Sequence, residues 1–83
     1  MTSVDEIRNW YNRGVSEGSK RMIVWCDTFD YGDYPEFTDL TGNDLREYTT
    51  KEDGKNMKRL MEVYDLEALP EPQLRGGTRV FNY

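Results

Sequence analysis

Carboxylates recur at every third position between residues 27 and 39, as Asp27, Asp30, Asp33, Glu36 and Asp39, interleaved with Phe29, Tyr31, Tyr34 and Phe37. Such a series could ligate a metal, act as a paired acid and base, or make charge-assisted contacts with cations. The metal case fails at the ligands. Asp27 to Thr38 has the length of a calcium loop with Gly32 at its sixth place, but Phe29 stands where an oxygen donor is needed and Thr38 where the bidentate glutamate belongs. The acid–base case needs environments that push the pKa values of Asp27 and Glu36 apart, and so short a chain has little pocket to supply them. Recognition of cations remains.

Other reactive groups are few. The chain has no histidine, which removes imidazole bases, Ser-His and Cys-His pairs and histidine metal ligands. The one cysteine, Cys26, falls in an apolar run and reads as a buried, inert thiol. Glycine patterns of the phosphate-cradling kind are absent. The expectation is a protein that is not an enzyme and uses no cofactor and no metal.

The formal net charge is −5 over 83 residues. The segment from Asp27 to Asp53 carries nine acidic residues against two basic ones, while each flank is slightly basic. A field so localised favours basic partners, and carboxylates among aromatics could imitate nucleic-acid phosphates. The competing reading is a solvated hairpin whose charges keep an edge strand from aggregating. Toward the C-terminus, Arg75, Arg79, Phe81 and Tyr83 follow Gly76-Gly77 and could grip phosphate or stack on bases. The overall acidity opposes that, and a last strand with solvent-facing arginines is the preferred reading.

These residues must be positioned by one small domain. Hydrophobic residues make up 36% and charged ones 33%, so the core is thin but rich in aromatics and methionine. A single cysteine permits no internal disulfide and fits a reducing compartment. No apolar run reaches membrane-span length and no secretory leader pattern begins the chain. A cytoplasmic protein is expected, with no membrane and no direct nucleic-acid partner.

The expected fold class is α+β, a single domain over 1–83 with 70–83 as an extended arm or edge strand. Ser3 and Glu6 have capping-box spacing ahead of a helix over 4–13. Met22 to Cys26 predicts a buried strand over 21–29, returning antiparallel through Tyr34 to Leu40 around a turn at Gly32. Gly32 suits positive φ there, and Pro35 places the second strand at an edge. If Phe29 faces Tyr34, Asp27 falls opposite Glu36. A helix over 44–51 is capped by Asn43. The spacing of Met57, Leu60, Met61 and Tyr64 predicts a second, longer helix over 55–66, with Lys55, Lys58 and Arg59 on its polar face. Pro70 and Pro72 stop it, and Thr78 to Tyr83 is suited to a strand.

The stretch MIVWCDTFDYGDYPEF, followed by GKNMKRLMEVYDL, resembles small acidic bacteriophage proteins of no established activity over about residues 20–66. The resemblance implies a context in which short acidic proteins bind and inhibit host factors. It brings no site residues. The resulting expectation is a non-catalytic interaction module of inhibitor type that occupies a basic site on a larger host protein, such as a nucleic-acid enzyme. Its contacts would be Asp27, Asp30, Tyr31, Asp33, Tyr34, Glu36 and Asp39. The alternative is an oligomeric binding protein that sequesters a small nucleotide-like ligand through Tyr31, Trp25, Arg75 and Arg79.

Overall fold

β1 (Arg21–Asp27) is the middle strand of a three-stranded antiparallel sheet, and its four residues Met22 to Trp25 are almost wholly buried. A strand buried on both faces must be apolar at consecutive positions, which is what the run supplies. The computed structural model describes residues 3–74 and 79–83. β2 (Asp33–Thr38) flanks β1 on one side and β3 (Lys58–Asp65) on the other. α1 (Val4–Ser16), α2 (Gly42–Glu52) and the short α3 (Pro70–Leu74) complete the α+β architecture.

The sheet separates two apolar clusters. On one face Met22, Val24 and Tyr64 pack with Ile7 and Tyr11 of α1 and with Leu66. On the other, Ile23, Trp25 and Val63 pack with Leu45 of α2, bordered by Tyr48, Leu60 and Tyr83. α1 begins where the capping box requires, with Ser3 Oγ accepting from the Glu6 N–H at 3.2 Å. It extends three residues beyond the expected end, through Gly14, which lies buried against Phe37 and Leu66. α2 is entered from extended Thr41 with Gly42 at φ +60°, so Asn43 sits inside the helix and is not its cap.

Several sequence expectations are corrected. The helix expected over 55–66 is strand β3. Its apolar residues alternate between faces, Leu60 and Val63 toward α2 and Met61 and Tyr64 toward α1, and a bulge falls where Val24 pairs Glu62 but Trp25 pairs Leu60. Met61 is the extra residue, and it shifts the phase so that a two-faced strand imitates helical spacing. Lys55, Lys58 and Arg59 therefore form no helix face. Pro70 does not end a helix but opens α3, a position that suits a residue without an N–H.

The hairpin exists, with β1 shorter than expected and a different register. Trp25 pairs with Tyr34 and Ile23 with Glu36. Asp27 pairs with Lys58, so the repulsion between Asp27 and Glu36 does not arise. The Asp27 N–H donates to the Gly32 carbonyl at 2.8 Å, so by antiparallel alternation Tyr34 and Glu36 bond to β1 and Pro35 turns its missing N–H to the open edge.

The outer edge of β3 is covered. The Leu60 N–H donates to Asp53 Oδ1, the Val63 N–H to the Val80 carbonyl and the Asp65 N–H to Gln73 Oε1. The Asn82 N–H returns to the Val63 carbonyl at 2.9 Å, so residues 80–82 add one parallel bridge to the sheet. Arg75, Gly76, Gly77 and Thr78, to which part of the C-terminal expectation was attached, lie outside the described residues.

Candidate functional site

The β1–β2 turn is built by its own aspartates. Asp27 Oδ1 accepts from the Phe29 N–H and Asp30 Oδ1 from the Gly32 N–H, each at 2.8 Å. The Tyr31 N–H donates to the Asp27 carbonyl at 2.7 Å. Side-chain acceptors two residues from their donors mimic a backbone turn, which is why aspartate suits these places. The positive φ expected at Gly32 falls instead on Tyr31, at 61°.

The loop between α2 and β3 lies beside this turn. The Thr28 N–H donates to the Met57 carbonyl at 2.8 Å, and Asn56 and Met57 are also left-handed, at φ 52° and 59°. These three are the only non-glycine residues with positive φ among the described residues. Each costs of order 1 kcal/mol in a residue with a Cβ. Phe29 and Tyr31 are each 77% exposed and Met57 is 54% exposed. Two adjoining loops at one end of the sheet thus hold three large apolar side chains in water, two of them on strained backbone.

The seven expected contact residues do not form one surface. Asp27, Asp30, Tyr31 and Asp33 gather at this tip. Tyr34 lies one step inward on the α2 face, 39% exposed. Glu36 points over the same face into the structure, where Oε1 accepts from Trp25 Nε1 at 2.8 Å and Oε2 from the Tyr48 hydroxyl at 2.6 Å. The Tyr48 phenol is pushed up to about 12, chiefly by that bond and then by burial and the Glu36 charge. Asp39 is exposed beyond the far end of β2, a strand of six residues away from the tip. Met57 and Asn56 were missed. The sequence hides their exposure, because the spacing of Met57 with Leu60, Met61 and Tyr64 predicts a helix face.

Basic groups temper the acidic turn. Lys58 pairs with Asp27 across the ladder but turns inward, its Nζ 3.3 Å from Glu52 and 4.6 Å from the centroid of Trp25. Lys55 and Arg59 are exposed on the same loop and strand end. Cys26, expected to be buried, is only half-buried, since it sits where β1 pairs Asp33 and Arg59. Desolvation and then the Asp33 carboxylate push its thiol up, which disfavours the thiolate form.

Among the described residues, the elements of the ligand-binding alternative sit on different parts of the fold. Trp25 is 0% exposed and has no face available to a ligand, Tyr31 is at the tip, and Arg79 is on the C-terminal segment beyond β3. Tyr83 stacks near Phe81 and lies under the Arg46 guanidinium, 5.0 Å from it, so Tyr83 packs on the domain while Phe81 stays 42% exposed. Among the described residues no helix is long and apolar enough to cross a membrane. No family model, no curated protein and no solved structure matches the chain.

Proposed function

We propose that this protein is a non-catalytic interaction module that docks through the tip formed by the β1–β2 turn and the α2–β3 loop. The observation that carries the reading is the exposure of Phe29, Tyr31 and Met57 on left-handed, mutually bonded loops. Backbone strain beside exposed aromatics is an arrangement that folding alone does not favour, and such strain concentrates at binding sites. Aromatic and methionine side chains supply desolvated anchors. Asp27 and Asp30 spend one carboxylate oxygen each on the turn, and the exposed Asp30 keeps its second oxygen for arginine or lysine around the partner's pocket.

The partner best suited is a larger protein with an apolar pocket bordered by cations, such as a nucleic-acid-binding site, and occupation of that pocket inhibits it. Of the residues expected from the sequence, Asp27, Asp30, Tyr31 and Asp33 belong to this reading, Tyr34 borders it, and Phe29 and Met57 join it. Glu36 is assigned to holding α2 on the sheet, and Asp39 to the far end. The test is affinity capture from a candidate host with the wild-type chain and a Phe29→Ser/Tyr31→Ser variant, eluted along a salt gradient. The expected result is a protein held by the wild type, released by salt and absent with the variant. Equal capture by both chains would refute the tip as the contact.

A further inference from the structure

The same tip carries both signs of charge on separate loops. The β1–β2 turn offers Phe29 and Tyr31 with Asp27 and Asp30, and the α2–β3 loop with the start of β3 offers Met57 with Lys55 and Arg59, while the loop's Asp53 is engaged through Oδ1 by the Leu60 N–H. The two loops are held at a fixed spacing by the bond from the Thr28 N–H to the Met57 carbonyl. A surface whose two halves are complementary to one another is what a two-fold symmetric contact requires, because each half meets its complement on the other copy. We infer that the occupant of this tip, when no other protein is bound, is a second copy of this chain, with the acidic turn of one protomer on the basic loop of the other. This inference does not depend on the proposed inhibitory function.

In this arrangement Asp30 of each copy faces Lys55 of the other, and the aromatic pair covers Met57. Four ion-pairing groups and six apolar side chains are shared across the axis, with Lys58 left to its internal contacts with Glu52 and Trp25. A lasting dimer buries roughly 1,200–2,000 Å² in total, and a contact confined to two short loops of each copy is therefore weak, reversible and sensitive to salt. The chain's net charge of −5 opposes association at long range, and screening of that repulsion competes with loss of the local pairs. Self-association covers the anchors that a partner would use.

Sedimentation velocity of the full chain across a concentration series tests this. The expected result is a monomer–dimer equilibrium that Asp30→Asn, which keeps the acceptor for the Gly32 N–H, and Lys55→Glu each weaken by about fivefold or more. Asp30→Lys mixed with Lys55→Glu should restore association that neither has alone. A monomer at every concentration, or a dimer indifferent to all these variants, overturns the inference. Lys55→Glu also separates it from the proposed function, since losing a tip cation weakens self-association without weakening the grip on a basic partner.

Discussion

The Tyr48 hydroxyl donates to Glu36 Oε2 at 2.6 Å while Trp25 Nε1 donates to Oε1 of the same carboxylate at 2.8 Å, so one side chain on the open edge strand ties β2 to β1 and to α2. Trp25 is completely buried, and its N–H has no water to turn to. Replacing Glu36 with Ala strands two donors, an effect of about 1–3 kcal/mol. Urea denaturation of Glu36→Ala should show a loss of that size, and the folded variant should capture the same partner as the wild type. Loss of capture without loss of stability would make Glu36 a contact after all.

The raised pKa of Tyr48 gives the same bond a pH signature. A phenol whose folded pKa, about 12, lies above its unfolded value of 10.0 stabilises the fold fully below pH 10, and that contribution is lost as pH rises through the folded value. Stability measured between pH 10 and 12 should fall in the wild type and fall less steeply in Tyr48→Phe. Burial also raises the phenols of Tyr64 and Tyr11, which provide the residual slope. Identical slopes in the two proteins would show that the Tyr48 bond is not formed in solution.

Gly14 of α1 lies directly against Phe37 of β2 and Leu66 just after β3. A Cβ there would lie 2.7 Å from Leu66 Cδ1 and 2.8 Å from Phe37 Cδ1. Alanine is favoured over glycine by about 1 kcal/mol inside a helix, but overpacking costs about 1–3 kcal/mol. Gly14→Ala should lower stability in urea denaturation by up to about 2 kcal/mol net. A gain would mean that helix and sheet separate easily at this crossing.

How much of this was legible beforehand differs element by element. α1 could be read because Ser3, Glu6 and the apolar positions Ile7 and Tyr11 agree with one another. β1 could be read because its consecutive apolar run is short and rich in β-formers, as a strand buried on both faces requires. β3 is apolar on both faces too, but the bulge at Met61 and the charged Arg59 and Glu62 break its run into two pairs. Those pairs fall at helical spacing, and local pattern alone does not separate the two cases. The tip was half legible. Its turn carries aspartate and glycine signals, whereas the contribution of Asn56 and Met57 depends on a long-range bond to Thr28. Gln73 gave no signal at all, although its amide joins Asp65, Leu69 and Asn82.

Pro35 stands at the middle of the one sheet edge that no other segment covers among the described residues. With valine there, the outer side of β2 gains an N–H and becomes a continuous template for another strand. Pro35→Val should leave the unfolding midpoint at low concentration nearly unchanged and produce concentration-dependent aggregation, read by light scattering. A variant that scatters no more than the wild type at the same concentration would show that the edge is guarded by charge, not by the proline.

Tyr31 holds φ 61° with its ring 77% exposed, so the fold gains little from its side chain and bears the strain of its backbone. Glycine accepts that φ freely, and relief of a left-handed conformation is worth about 1 kcal/mol. Tyr31→Gly should therefore raise stability in urea denaturation slightly, by less than about 1 kcal/mol, because the greater freedom of glycine in the unfolded chain offsets part of the relief. If the tip binds, the same change should reduce capture of the partner, because an anchor is lost and the turn is freer before binding. A gain in stability together with a loss of binding is the signature of a residue kept for contact at the expense of folding. Loss of stability instead would assign Tyr31 to the turn's architecture and leave Phe29 and Met57 as the anchors to test.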